Sequence, residues 1–152
     1  MEENEIKFEK VQRVKDIEFD LPKKGSKYAA GYDFINPEEA IVEPYKVTYV
    51  KTGIKAKFPN DLALLLLNRS SNPKKKGLYV ANGLGLIDAD YYNNSDNEGE
   101  MCFAFTTFGD SPIKIEKGEK LGQGMFIKYY NISNFNADEV EARNSGLGST
   151  GK

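Results

Sequence analysis

The residues from Asn82 to Tyr91 are the part of the chain whose types and spacing could do chemistry. They offer a carboxamide at Asn82, carboxylates at Asp88 and Asp90, and the ring of Tyr91. Glycines within residues 83–85 predict a tight β-hairpin, and glycine lets a main chain approach a flat ligand closely. We therefore expect a ligand site here. The alternative, an ordinary solvated turn, stays open at this point.

The composition limits how a reaction could be catalysed. The 152-residue chain has no histidine, which removes the commonest general base and every Ser-His or Cys-His dyad. A hydrolase built on this sequence must therefore activate water with a carboxylate or a metal ion. The formal net charge is −2, whereas a general nucleic-acid or anionic-membrane binder normally carries a basic face. We expect no nucleic acid and no membrane among the partners.

The single cysteine and the N-terminus indicate a reducing compartment. Cys102 stands between Met101 and Phe103, so it has no intrachain disulfide partner, and its apolar setting predicts an inert core thiol. The first residues are acidic and lack the apolar core of a secretory signal. The longest apolar run, residues 62–67, is far too short to span a bilayer. We expect a soluble, cytoplasmic protein.

Short β-type segments separated by turn residues dominate the chain. They cover residues 45–51, 54–58, 62–67, 78–81, 100–108, 113–115 and 125–130. Their spacing and their aromatic and β-branched content predict an all-β, jelly-roll-like sandwich or barrel. Residues 137–142 could form at most a short helical turn, because no segment shows a sustained helical period. The length predicts one domain over residues 1–152.

The C-terminal segment differs in kind from the rest. Residues 143–152 contain three glycines and three hydroxyl side chains, a composition that cannot pack a core. We expect a flexible, glycine-rich arm over about residues 137–152. A tail without function is the alternative. Arg143 at its root and the clustered hydroxyls favour a functional arm that wraps a polyphosphate.

Five segments, in order, resemble the five motifs of the trimeric dUTPase family and cover nearly the whole chain from about residue 27. They are residues 30–34 (Ala-Gly-Tyr-Asp-Phe), 68–71 (Asn-Arg-Ser-Ser), 82–91, 118–123 (Gly-Glu-Lys-Leu-Gly-Gln) and 143–151. One such match is weak, whereas five in order are specific. The resemblance implies hydrolysis of dUTP to dUMP and pyrophosphate, which keeps uracil out of DNA and supplies dUMP.

The resemblance also implies roles for single residues. Asp88 aligns with the carboxylate that orients and deprotonates the water attacking the α-phosphorus, a general-base role worth roughly 10² to 10⁴ in rate. Asp90 is better interpreted as bracing the turn. The cofactor implied is Mg²⁺ on the triphosphate, which Asp33 would hold through water.

The other implied roles concern the nucleoside and the phosphates. Asn82 aligns with the position that reads the uracil edge, and Tyr91 with the ring that packs under deoxyribose and excludes a 2′-hydroxyl. Leu86, Ile87 and Cys102 complete the expected uracil and deoxyribose contacts. The expected phosphate ligands are the second-motif clamp, one fourth-motif residue and the arm: Arg69, Ser70, Ser71, Gln123, Arg143, Ser149 and Thr150.

Three departures from the family pattern are visible. Leu147 stands where the last motif usually has phenylalanine, so an aromatic lid over the base is missing there. The link between Tyr91 and Gly99 is longer than usual, and our hypothesis is that Tyr92, at its start, covers the base instead. Asn68 replaces a common proline, which we expect to alter turn stiffness more than chemistry.

The resemblance implies a homotrimer whose active sites combine segments of all three chains. Two other functions are alternatives to dUTP hydrolysis. A dCTP deaminase shares the fold, but it needs a glutamate where this chain has Ala104. A dUTP-binding sensor that acts through protein partners would keep the pocket, and it would bind dUTP without releasing pyrophosphate.

Overall fold

Short runs of apolar and β-branched residues, separated by glycine, proline and asparagine, form antiparallel strands. The computed structural model describes residues 4–140 of the 152-residue chain. In chain order the strands of this part are β1 (Lys7–Lys10), β2 (Tyr32–Ile35), β3 (Ala40–Val42), β4 (Thr48–Lys51), β5 (Ile54–Lys57), β6 (Leu62–Leu67), β7 (Leu78–Val80), β8 (Gly85–Ile87), β9 (Cys102–Thr107), β10 (Ile113–Ile115) and β11 (Lys120–Lys128). The helical elements are α1 (Asn72–Lys76) and three 3₁₀ helices, Gln12–Val14, Ala89–Tyr91 and Ala137–Glu139. The expected all-β, jelly-roll-like fold is confirmed.

Antiparallel pairing assembles the strands into two main sheets. The first has the order β2-β11-β6-β8 and the second the order β4-β9-β7, while two further pairs join β1 to β5 and β3 to β10. β11 is therefore an inner strand that connects β2 to β6. The register places Gln123 of β11 opposite Asp33 on one side and opposite Leu67 on the other. Residues from three neighbouring strands are thus brought side by side.

The apolar core holds the two main sheets together. Phe34 of β2 and Phe103 of β9 are both fully buried, and their rings meet edge to face with centroids 5.7 Å apart. Phe105 stacks on Phe103 at a centroid distance of 5.4 Å. Burying an aromatic side chain contributes about 1.5 to 3 kcal/mol. Strands of different sheets therefore keep a fixed relation to one another.

The strand predictions agree best in the middle of the chain. β6 and β10 have the predicted bounds, and the other five predicted strands overlap β4, β5, β7, β9 and β11. Sequence reasoning missed β1, β2, β3 and α1. α1 has only five residues and is closed by Gly77 at φ 66°, so it shows no helical period. None of the helices within residues 4–140 is long and apolar enough to cross a membrane.

β11 begins earlier than predicted because of two glycines that packing requires. A Cβ on Gly122 would lie 2.5 Å from the Phe103 ring and 2.8 Å from the carbonyl oxygen of Leu67. A Cβ on Gly124 would lie 2.9 Å from the Phe34 ring. Glycine is ordinarily depleted in strands, but it is used where another group must approach the backbone closely.

The expected β-hairpin between Asn82 and Tyr91 is only partly correct. The turn exists: the Gly83 N–H donates to the Val80 carbonyl at 3.0 Å, and Gly83 adopts φ 81°. The strands on either side do not pair with each other, because β7 pairs with β9 and β8 pairs with β6. The turn marks the place where the chain passes from one sheet to the other.

Candidate active site

Three of the sequence motifs meet at a pocket beside β11. The cavity has a volume of about 200 Å³ and is lined by Asp33, Arg69, Ser70, Ser71, Lys120 and Gln123. β2 supplies the carboxylate, β11 supplies the lysine and the carboxamide, and the loop after β6 supplies the arginine and both hydroxyls. Two cations and two hydroxyls in a concave surface are suited to a phosphate chain, since charge-assisted hydrogen bonds are the strong ones.

Asn68 organises the loop that carries the arginine and the two serines. Its Oδ1 accepts from the Arg69 N–H at 2.9 Å and from Asn72 Nδ2 at 2.7 Å, and its Nδ2 donates to the Leu78 carbonyl at 3.1 Å. The Asn68 carbonyl also accepts from Gln123 Nε2 at 3.3 Å. The Asn68 carboxamide therefore holds the backbone of Arg69, whereas its main-chain carbonyl, which a proline would also provide, holds Gln123. That the replacement alters turn stiffness more than chemistry stays a prediction.

Lys120 is a pocket residue that sequence reasoning missed. Its Nζ lies 3.2 Å from Asp33 Oδ2. In a regular strand Lys120 and Gln123 would point to opposite faces, but a register shift between Lys120 and Gly122 interrupts the pairing with β2. Such a bulge re-aims side chains, so both residues reach the same cavity. The sequence did contain a signal, because Lys120 belongs to the fourth motif, residues 118–123.

Asp88 lies at the exposed end of the edge strand β8. It is the N-cap of the 3₁₀ helix Ala89–Tyr91, with φ −84° and ψ 153°, and its carbonyl accepts from the Tyr91 N–H at 3.1 Å. Leu86 precedes it on the same face and is 61% exposed, whereas Ile87 is partly buried. Asn82 is exposed in the turn before the strand.

Tyr91 is held at both ends of its side chain. The residue is 7% exposed and its ring belongs to the apolar core. Its hydroxyl donates to the Glu100 carbonyl at 2.9 Å and accepts from Asn97 Nδ2 at 2.7 Å. The Tyr91 ring therefore has a fixed position at the end of the helical turn that Asp88 begins.

Within one chain, the residues around β8 that include Asp88 and Tyr91 lie apart from the pocket lined by Arg69 and Lys120. β8 runs antiparallel to β6, with Gly85 opposite Leu66 and Ile87 opposite Leu64. Asp88, which follows β8, consequently lies beside the start of β6, whereas Arg69 comes after the end of β6. At about 3.3 Å per residue, the stretch from Ala63 to Arg69 spans about 20 Å. A single chain therefore presents two separate half-sites.

The region of the chain that carries both half-sites matches a known protein family. A family model described as dUTPase matches residues 17–151. The chain belongs to the dUTPase family. The match includes every segment in which the sequence resembled a family motif, so the dUTPase assignment rests on the chain as a whole.

Relatives of known identity agree with this assignment. The deoxyuridine 5′-triphosphate nucleotidohydrolase of Lactococcus lactis subsp. lactis is 40% identical over 144 residues, which cover 95% of this chain and 96% of that protein. A dUTPase structure from Streptococcus mutans has a TM-score of 0.78 at 37% identity and covers 84% of this chain and 98% of that one. A mutant dUTPase from phage phi11 of S. aureus, which coordinates a structural Mg(II) ion, has a TM-score of 0.68 at 19% identity and covers 89% and 97%. That last likeness shows the fold.

Tyr92, the hypothetical replacement for the dUTPase aromatic lid, has other contacts in the structure. Its hydroxyl donates to the Glu9 carboxylate on β1, and Lys55 Nζ lies 5.2 Å from its ring centroid. Burial raises the pKa of Tyr92, and the hydrogen bond from Tyr92 lowers the pKa of Glu9. A lid role stays a prediction, and it would require the ring to leave these contacts.

Cys102 lies on β9, opposite Lys51. Burial raises the pKa of its thiol to about 11, which agrees with the expected inert thiol. β9 adjoins the turn before β8, because the Ala81 N–H donates to the Ala104 carbonyl at 2.7 Å. Ala104 itself, where a dCTP deaminase would need glutamate, is a buried apolar residue.

The donors for a metal ion are sparse in the described part of the chain. Within residues 4–140 no three His, Cys, Asp or Glu side chains are grouped so that they could hold a metal. Asp33 is a single carboxylate with 21% of its side chain exposed. A single carboxylate fits a Mg²⁺ ion that is bound mainly by substrate phosphates and retains several water ligands. Arg143, Ser149 and Thr150, the expected arm ligands, lie outside the described residues.

Proposed function

We propose that this dUTPase-family protein hydrolyses dUTP to dUMP and pyrophosphate, which removes dUTP from the pool used for DNA synthesis and supplies dUMP. The observation that carries the proposal is the pocket where Arg69 and Lys120 face Ser70, Ser71 and Gln123. A triphosphate would bring its charge to these groups. The proposed compartment is the cytoplasm, where a deoxynucleotide pool must be kept free of dUTP.

Asp88 is proposed as the general base. Its carboxylate would take a proton from water as the water oxygen bonds to the α-phosphorus, and the bond from that phosphorus to the bridging oxygen of the leaving pyrophosphate would break. The exposed N-cap position leaves the carboxylate accessible. Magnesium on the triphosphate would supply neutralising charge, and Asp33 would orient its water shell.

Base and sugar selection are assigned to the residues around β8. Asn82 would pair with the uracil edge, and Leu86, Ile87 and the backbone at Cys102 would enclose the base. A site built around such hydrogen bonds can reject a mispaired analogue by about 10⁴. Tyr91 would pack against deoxyribose, and its fixed ring supports exclusion of a ribose 2′-hydroxyl.

The separation of the two half-sites supports a homotrimer with shared sites. With about 20 Å of β6 between Asp88 and the Arg69 loop, one chain cannot bring both to a single triphosphate. A second chain would supply the phosphate pocket to the first. Arg143, Ser149 and Thr150 are proposed to close over the γ-phosphate as an arm from a third chain.

Release of pyrophosphate tests the activity directly. The rate is measured with dUTP, UTP, dCTP and dTTP, with and without Mg²⁺. Asp88→Asn should lower kcat by roughly 10² to 10⁴, whereas Asp90→Asn, the matched control in the same turn, should change it by less than tenfold. Equal rates for wild type and Asp88→Asn would refute the mechanism. Tight dUTP binding without pyrophosphate release would instead favour a sensor.

Mixed oligomers test the shared site. Asp88→Asn chains are combined with chains that end at residue 142, each of which is expected to be inactive as a pure assembly. If sites combine different chains, some sites of a mixed assembly will contain an intact Asp88 and an intact arm. Verified mixed assemblies without any recovered activity would argue against shared sites.

A further inference from the structure

We propose that Asn97 is a positioning residue for sugar selection: it holds the Tyr91 hydroxyl, and thereby strengthens rejection of UTP relative to dUTP. The inference deepens the proposed function and rests on it, because it takes Tyr91 as the ring that packs against deoxyribose. Asn97 belongs to the segment that makes the link from Tyr91 to Gly99 longer than is usual in the family. In the structure this segment contacts Tyr91 through Asn97.

The Tyr91 hydroxyl has a donor and an acceptor in fixed positions. It donates to the Glu100 carbonyl at 2.9 Å and accepts from Asn97 Nδ2 at 2.7 Å. A hydroxyl has one proton to donate, so these two bonds define its orientation. Because the oxygen lies at the far end of the ring, the bonds also fix the ring against tilting.

Asn97 is itself held by its own segment. Its Oδ1 accepts from Asn94 Nδ2 at 2.8 Å and from the Gly99 N–H at 3.0 Å. Asn94 Nδ2 also donates to the Tyr91 carbonyl at 2.8 Å. The longer link therefore folds back on Tyr91 and contacts both its backbone and its hydroxyl. With Oδ1 engaged in this way, Nδ2 of Asn97 is directed at Tyr91.

The other anchor of the hydroxyl is equally constrained. Glu100 is buried, with 7% of the residue exposed. It accepts from Arg13 Nε at 3.1 Å, from Arg13 Nη2 at 2.7 Å and from the Gly53 N–H at 2.9 Å. These bonds tie Glu100 to the start of the chain and to the turn between β4 and β5. Its carbonyl therefore gives the Tyr91 hydroxyl a fixed acceptor.

Stiffness matters because the rejection of a ribose is steric. A wall excludes an extra hydroxyl only to the extent that moving the wall costs free energy. The core holds the Tyr91 ring at its base, and the two hydrogen bonds hold its tip. A hydrogen bond of this kind changes an equilibrium by about threefold to tenfold. Loss of the Asn97 bond should relax sugar selection by a factor of that size.

The test compares kcat/KM for dUTP with kcat/KM for UTP in five proteins: the wild type, three single variants, and the double variant that combines Asn97→Ala with Tyr91→Phe. Asn97→Ala removes the donor, and Tyr91→Phe removes the hydroxyl while keeping the ring. The matched control is Asp96→Ala, whose side chain is exposed in the same segment and whose backbone N–H bonds Asn94. Thermal unfolding of each variant reports whether the fold is kept.

The expected result is a dUTP-to-UTP ratio about threefold to tenfold lower in Asn97→Ala and in Tyr91→Phe. The double variant should resemble Tyr91→Phe, because both changes act on one hydroxyl, and Asp96→Ala should keep the wild-type ratio. A purely structural role would lower the melting temperature and leave the ratio unchanged, which would overturn the inference. If the wild type does not hydrolyse dUTP, the proposed function fails; equilibrium binding of dUMP and UMP to the same variants then decides the inference separately.

Discussion

Replacing Glu100 with glutamine should be among the more destabilising single-atom changes in this protein. The substitution removes the charge of a buried carboxylate that accepts three hydrogen bonds, two from Arg13 and one from the Gly53 N–H. The new amide must also point its NH₂ group at one of these donors. The pairing with Glu100 raises the pKa of Arg13, so the guanidinium stays charged throughout.

The magnitude follows from which contacts survive. Breaking a buried ion pair costs about 3 to 5 kcal/mol. Arg13 is partly exposed and keeps Glu38 as a second partner, so we expect the lower part of this range, about 3 kcal/mol. For a chain of this size, each kcal/mol lowers the melting temperature by about 2 to 4 °C. Glu100→Gln should therefore melt about 6 to 12 °C below the wild type.

Urea unfolding at fixed protein concentration measures the effect, with the midpoint and the slope reported together. The control is Glu38→Gln, which changes the other partner of the same arginine. Glu38 is 47% exposed on its side chain, and exposed pairs contribute about 0 to 1 kcal/mol. If both variants shift the midpoint equally, burial is not what makes the Arg13–Glu100 pair important.

Three further outcomes follow from the structure. Lys120→Ala should raise KM for dUTP about threefold to tenfold, with a larger effect at low salt; Lys114→Ala is the control. Gly31→Ala should lower kcat/KM roughly tenfold to a hundredfold with little change in melting temperature, since the new Cβ would lie 2.6 Å from the flexible Gln123 Oε1. Cys102, whose pKa burial raises to about 11, should react with iodoacetamide at pH 8 on the order of a hundredfold more slowly than a free thiol.

Each outcome has a result that would contradict it. For Lys120, the contradicting result is that Lys114→Ala raises KM as much as Lys120→Ala does. Lys114 is half exposed and pairs with Glu39, in the turn directly before β3. For Gly31, the contradicting result is that Gly31→Ala lowers kcat/KM no more than Gly109→Ala does. The new Cβ at Gly109 would meet only Thr107 Oγ1, at 3.6 Å.

For Cys102, the contradicting result is that the folded protein reacts with iodoacetamide at pH 8 as fast as a free thiol does. The same raised pKa has a consequence for stability: the unfolded thiol ionises near pH 8.5, whereas the folded one keeps its proton to about pH 11. The contribution of the half-buried thiol is complete below about pH 8.5 and should be lost as the pH rises toward 11.

The fold could be predicted where strands are apolar and bounded by turn residues. β6 is a continuous run of leucines and an alanine, and its bounds were predicted without error. β1 consists of charged and aromatic residues, all half-buried, so its pattern resembles a polar segment. β11 was shortened in the prediction because Gly122 and Gly124 act as strand breakers locally. The close approach of the Phe103 and Phe34 rings and of the Leu67 carbonyl explains these glycines, and such contacts are a property of the folded molecule.

Some residues of the candidate site could be predicted from the sequence and others could not. The resemblance to the dUTPase motifs identified Asp33, Arg69 and Gln123, which do meet in one pocket. Lys120 was missed because a bulge, which sequence periodicity does not reveal, turns its side chain toward that pocket. The hydrogen bonds of Asn68 could not be predicted, because a bond from a side chain to a carbonyl ten residues away depends on tertiary structure.

The antiparallel register of β6 with β8 decides how these residues can work together. Because Gly85 lies opposite Leu66, the chain that leaves β8 at Asp88 moves away from the loop that begins at Asn68. A parallel arrangement would have placed both at one end of the sheet and allowed a site within one chain. With the observed register, the proposed base Asp88 and the proposed phosphate pocket could serve one triphosphate only if they came from different molecules. Activity of this enzyme should therefore depend on assembly, and dilution below the assembly concentration should abolish turnover before it unfolds the chain.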